Sequence, residues 1–141
     1  MKTNIKFVEI NNTEEHLIFL YKSLEERRFN VSHNKLPSFE DHSKFVLNHP
    51  YRVWLLVKIS NSIIGNLYIQ KDNSIGIHLN DHYLKFISDI LKNLYKKWTP
   101  LPEIKSIRNK NFILNIAEGD SKLVKAMEEI GAKKIQTTYI I

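Results

Sequence analysis

The chain contains no cysteine among its 141 residues. That excludes a disulfide framework and thiolate chemistry, and it suits a reducing compartment. No apolar run is long enough to span a bilayer, and the opening MKTNIKFVEI has neither a long apolar core nor a small-residue cleavage site. The chain is therefore expected to be soluble and cytoplasmic, without a membrane partner. Glycine is scarce: Gly65, Gly76, Gly119 and Gly131 are the four, and none falls between Gly76 and Gly119. Glycine lets backbone approach a phosphate closely or take positive φ, so a backbone phosphate cradle in mid-chain lacks its usual material.

What is present is organised around residues 63–90. Ile63–Ile69 and Ser74–Leu79 carry the β-branched and aromatic content of strands, with Lys71-Asp72-Asn73 as turn chemistry between them. A helix follows, because Leu84, Ile87, Leu91, Leu94 and Trp98 recur at steps of three and four. Its lysines, Lys85, Lys92, Lys96 and Lys97, lie mostly off that face. A strand running into a helix amino end is a favourable place for an anion, although this junction has no glycine.

Ahead of this core, Ile5–Ile10 alternates as a strand. Asn12 or Thr13 caps a helix to about Arg27, with Leu17, Leu20, Tyr21 and Leu24 inward. Residues 29–37, ending in Pro37, read as an ordered loop of the kind that carries binding groups. Ser38 and Asp41 resemble a capping box for a second helix through Leu47, and Tyr51–Ile59 is a strongly apolar strand turned by Ser60-Asn61-Ser62. Beyond the central helix, Thr99–Lys110 is a proline-marked connection. Asn111–Ile116 reads as a fifth strand, Ser121–Ile130 as a helix closed by Gly131, and Lys134–Ile141 as a last strand. Residues 1–141 thus read as one domain.

The formal charge is +6, and residues 81–110 hold seven Lys or Arg against three acids. Such a surface attracts a phosphorylated cofactor or an acidic protein, or is simply a solvated lysine face. Nucleic acid is not an expected partner, since no groove-reading or base-stacking motif accompanies the charge.

With that order in place, the chain resembles the GNAT superfamily of N-acetyltransferases over essentially its whole length. The segments that carry the resemblance are NVSHNKLPSFEDH at 30–42, HPYRVW at 49–54, IIGNLYI at 63–69, SIGIHL at 74–79 and GAKKIQTTY at 131–139. The resemblance implies a single-domain α/β fold with a mixed, mainly antiparallel sheet flanked by helices. It also implies transfer of an acyl group from acetyl-CoA to a small-molecule amine, such as an amino sugar, where strand four meets the central helix. Leu79, Lys85, Phe86 and Asn115 fall at the cofactor positions so implied. The family's Arg/Gln-x-x-Gly-x-Gly/Ala turn corresponds to Leu84–Ile90, which has side chains throughout. A carboxylate often found at the start of strand four is Ser74 here, and a Tyr often found on the last helix is Met127. The cofactor site is thus expected to be degraded. A non-catalytic module binding a small ligand or a protein, and an enzyme using an acyl-carrier protein, are the alternatives.

Direct amine acylation needs a neutral amine, a donor to the thioester oxygen and a proton for the thiolate. His78 is the candidate base, with an ordinary strand-edge role as its alternative, and Tyr68 is the candidate proton donor or else a packing residue. His33, Glu40, His42, Tyr51 and Arg52 are the candidate substrate-binding groups, with Arg52 pairing an anion. His33 and His42 are equally suited to organising the loop and second helix. Lys85 has two available roles, holding a phosphate as a point charge or filling its position. No metal site is expected, because His78 and His82 straddle a strand end and no Cys is present. A homodimer through the last strand is the expected assembly.

Overall fold

Apolar alternation and two capped helical periods produce the order of elements in the computed structural model, which describes residues 3–27 and 35–141. Strand β1 (Ile5–Glu9) leads to α1 (Glu14–Glu26) and α2 (Phe39–Leu47). Strands β2 (Val53–Ile59), β3 (Ser62–Ile69) and β4 (Ser74–Leu79) follow. A 3-10 helix (Asp81–Phe86) runs into α3 (Ile87–Lys97), and β5 (Ile113–Leu114) and α4 (Ser121–Glu129) complete the order. The five strands lie in sequence order in one sheet, antiparallel from β1 to β4, with β5 parallel to β4. This is the mixed, mainly antiparallel α/β domain expected from the sequence.

Each face of the sheet buries its own cluster. Leu55, Val57, Leu67, Ile69 and Ile75 pack with Ile90 and Leu94 of α3 on one side. Trp54 and Leu56 pack with Leu20 of α1 and Val46 of α2 on the other. A register shift between Val57 and Lys58 places Ile64 in the first cluster and Ile63 against the second. Ser38 caps α2 by accepting from the Asp41 N–H at 3.1 Å. Gly131, at φ 86°, closes α4 with the Gly131 N–H on the Glu128 carbonyl and the Ala132 N–H on that of Met127.

Asn73 is fully buried, at φ 69°, in the β3–β4 turn. Its Nδ2 donates to the carbonyls of Leu101 (2.9 Å) and Asn109 (2.7 Å), and its Oδ1 accepts from the Leu101 N–H at 2.8 Å. One side chain thus fastens the proline-marked connection to the hairpin. Arg108 adds donors to the carbonyls of Pro102 (2.7 Å) and Lys71 (3.2 Å), so part of the excess positive charge is used on backbone oxygens.

Two expectations are corrected. The central helix does not begin as an α-helix at Leu84: Asn80 Oδ1 accepts from the His82 N–H and the Asn80 carbonyl from the Tyr83 N–H, which sets 3-10 geometry through Phe86. Lys134–Ile141 is not a strand. A strand persists where a neighbour pairs its N–H and C=O groups, and β5 forms ladder pairs only at Ile113 and Leu114, both with β4. Ile135, Tyr139 and Ile140 are consequently left exposed.

Candidate functional site

The chemistry-bearing cleft follows from how far β4 and β5 stay together. They pair at Ser74 with Ile113 and Ile75 with Leu114, with a last contact of 3.4 Å from the Asn115 N–H to the Ile75 carbonyl. Gln70 donates to the Ser74 carbonyl on the β3 side, so by alternation Ile77 and Leu79 turn their N–H and C=O groups toward the side that β5 has left. The opening is a cleft of about 660 Å³, with β4, β3 and the end of α1 on one wall and Asn115 to Leu123 on the other.

Tyr68, Asn66 and His78 form its floor on adjacent positions of β3 and β4, where Asn66 pairs with His78 and Tyr68 with Gly76. Tyr68 lies directly over Gly76, and any Cβ at that position would overlap its ring. The ring also stacks on Tyr51 and meets Trp54 edge-on. Asn66 is buried, and its Oδ1 accepts from Trp54 Nε1 at 3.2 Å, which turns the amide nitrogen away from the indole. That Nδ2 has no hydrogen-bond partner among the described residues.

Arg27 completes this end. It is the C-cap residue of α1, its side chain lines the cleft, and its Nε is buried without a hydrogen bond among the described residues. Burial is the largest influence on the guanidinium and lowers its pKa, with Tyr68 and Tyr51 opposing. Leaving a buried donor unmatched costs about 1–3 kcal/mol, so two on one wall are a substantial standing penalty. His78 is lowered from 6.5 to about 4, first by burial and then by the positive charge of Arg27, with Asp81 pulling the other way. Its imidazole is neutral at neutral pH and weakened as a base. The Tyr51 phenol is pushed up to about 12, first by burial and then by Tyr68, with Arg27 lowering it.

The opposite mouth is closed to a backbone-bound anion. Asn80 already satisfies the N–H groups of His82 and Tyr83, and the Asp81 carboxylate stands beside them, 2.8 Å from Lys122 Nζ of α4. An extended arm carrying amide groups fits the Ile77 and Leu79 edge, which no strand pairs among the described residues. A pyrophosphate does not fit the capped junction.

Of the residues selected from the sequence, Tyr68, His78, Leu79 and Asn115 line the cleft together. Lys85 is exposed with its Nζ 5.3 Å from the Phe86 ring centre, and neither residue lines the cleft. Tyr51 supports Tyr68 from behind. Glu40 is exposed and 3.4 Å from Lys44. His42 is buried edge-on to Tyr21 between α1 and α2. Arg52 donates to the Thr99 carbonyl at 2.8 Å, and His33 lies outside the described residues. Arg27 and Asn66 carried no sequence signal beyond a charge ending a helix and a polar residue in an apolar strand. Among the described residues no cluster of His, Asp or Glu could hold a metal ion, and no helix is long and apolar enough to cross a membrane.

No family model and no curated protein matches the chain. Solved structures do. A domain from Methanocaldococcus jannaschii DSM 2661 aligns with TM-score 0.58 at 16% identity, over 97% of this chain and 93% of that one. A structure described as a possible acetyltransferase from Clostridium difficile 630 aligns at 0.55 and 11% identity, over 97% and 96%. An aminoglycoside acetyltransferase from an uncultured soil metagenomic sample, solved with sisomicin, aligns at 0.50 and 14% identity, over 97% and 94%. At these identities the likeness is one of fold alone, a GNAT-like α/β fold.

Proposed function

We propose that the protein is an N-acyltransferase that accepts an acyl thioester on a pantetheine-type arm, as in acetyl-CoA, and passes the acyl group to a small amine. The observation that carries this reading is the divergence of β4 from β5, which leaves a free backbone edge at Ile77 and Leu79 leading to Tyr68 and His78. Pantetheine contributes two amides that such an edge can pair and a thiol that carries the acyl group. His78, neutral at neutral pH, is placed to accept a proton from the amine, and the Tyr68 hydroxyl to supply one to the departing sulfur. The nucleotide end of a CoA donor contributes little in this reading, because Asn80 and Asp81 occupy the junction. An acyl-carrier protein is an alternative source of the same arm.

That junction also favours a second reading, a non-catalytic module holding a small ligand in the same cleft. The two are separated by following thiol release from acetyl-CoA and acetyl-pantetheine across a panel of small amines. Release that depends on the amine and falls in Tyr68→Phe supports transfer. No amine-dependent release with either donor removes it and leaves the binding module.

For the segment after α4 the partner we propose is a second copy of this chain. Residues 132–141 expose Ile135, Tyr139 and Ile140, while β5 stands at the end of the sheet with no ladder beyond it among the described residues. Each protomer thereby offers the strand edge and the apolar segment that the other needs.

A further inference from the structure

We propose that the Arg27 end of the cleft is a carboxylate-binding site, so that the small molecule taken there is an amine that also bears a carboxylate group. This rests on reading the cleft as a ligand site and deepens the acceptor half of that reading.

The donors at this end are unmatched. Arg27 Nε and Asn66 Nδ2 are both buried, both without hydrogen-bond partners among the described residues, and both on side chains lining the same cleft. Neither atom can accept, so each calls for an acceptor that the described residues do not supply. The Trp54 indole holds the Asn66 amide with its oxygen turned away, which fixes the presented group as a donor. The guanidinium is within electrostatic reach of Tyr68 and Tyr51, and among the described residues no carboxylate forms an ion pair with it. Glu26 lies on the same wall but is exposed. The acids across the cleft are otherwise engaged: Asp81 holds Lys122, and Asp120 caps α4 by accepting from the Leu123 N–H.

A planar carboxylate suits an arginine edge that presents Nε beside a terminal nitrogen. Arg52, the guanidinium that the sequence offered for an anion, directs a terminal nitrogen to the Thr99 carbonyl instead. Tyr68 and His78 adjoin the Arg27 end, so a molecule anchored by its carboxylate places its amine beside the reacting groups.

Anchoring also acts on the imidazole. Arg27 is the second cause of the low His78 pKa, so an anion bound to Arg27 offsets that charge and raises His78 toward its ordinary value. Among the described residues, the charged and titratable groups lining the cleft with His78 are Glu26 and Arg27 at the end of α1, Tyr68 from β3, Asp81 and Tyr83 from the 3-10 helix, and Asp120 and Lys122 at the start of α4. Of these, Arg27 is the one that a carboxylate ligand neutralises. The acceptor in this way improves the base that serves it.

The test uses acetate, acetamide and methylphosphonate as probes against the full chain, read by nitrogen-15 NMR of arginine side chains and by the His78 titration. Acetate is expected to shift the Arg27 Nε–H resonance saturably, acetamide not to, and Arg27→Lys to weaken acetate binding by more than about fivefold. Saturating acetate is expected to raise the His78 midpoint in the wild type and leave it unmoved in Arg27→Gln. Tighter binding of methylphosphonate than acetate would reassign the site to phosphoryl groups and overturn the carboxylate proposal. An Arg27 resonance indifferent to both anions would overturn the anion site itself. Titration of the same samples with acetyl-pantetheine separates the two readings. Arm binding without acetate binding removes only this inference, and acetate binding without arm binding removes only the acyl-donor assignment.

Discussion

The Tyr68 ring lies on that of Tyr51 with centroids 3.9 Å apart and planes 4° from parallel, while its hydroxyl end crosses the Cα of Gly76 on the next strand. Aromatic stacking on one side and an absent side chain on the other leave this ring one position. Gly76→Ala is therefore expected to cost about 1–3 kcal/mol in urea unfolding through forced displacement of the ring. In a Tyr68→Ala background the same substitution should cost well under half as much, and equal costs in both backgrounds would show that Tyr68 is not what Gly76 accommodates.

Acid should weaken the fold through His78. Its pKa is lowered from 6.5 to about 4, so the folded state binds fewer protons than the unfolded chain in that window. The resulting stability is present above 6.5 and is lost as pH falls toward about 4, amounting to roughly 3 kcal/mol in full. His78→Gln should flatten that part of the stability curve. An unchanged slope in the variant would assign the titration to another group.

Asn73 serves both as a left-handed turn residue and as the anchor of the 99–110 connection. Asn73→Ala loses three hydrogen bonds and takes on positive-φ strain, so a loss of about 3–4 kcal/mol is expected. Asn73→Gly relieves the strain while losing the same bonds, and should recover roughly 1 kcal/mol of that. Equal stability of Ala and Gly variants would contradict the assignment of strain.

The hairpin, the capped α2, the closure of α4 by Gly131 and the mainly antiparallel sheet were legible because each is local. Turn residues, capping residues and alternation encode them within a few positions. The 3-10 entry into α3 was not, because Leu84 fits a helical period whether or not Asn80 diverts the first turn. The last strand failed for a different reason: Lys134–Ile141 has the composition of a strand, but pairing depends on how far β5 extends. Among the candidates, Tyr68 and His78 were chosen from their strand positions, and both line the cleft. Arg27 was hidden because a basic residue ending a helix ordinarily points to solvent, and only the fold brings this one to the wall of the cleft that β3 and β4 also line.

Dimerisation through residues 132–141 should be visible in solution mass. Light scattering is expected to give a dimer for the wild type and a monomer for Ile140→Glu, with circular dichroism unchanged because Ile140 makes no contribution to the core. A monomeric wild type, or a dimer that survives the substitution, would remove the exchange.

The most direct test of the cleft as a thioester-arm site is calorimetric titration with acetyl-pantetheine beside acetyl-CoA. Because the free edge at Ile77 and Leu79 is available and the pyrophosphate junction is capped, the two dissociation constants are expected to agree within about threefold, under 1 kcal/mol apart. Tight binding of acetyl-CoA with none of acetyl-pantetheine would place recognition at the nucleotide, and absence of both would contradict the account.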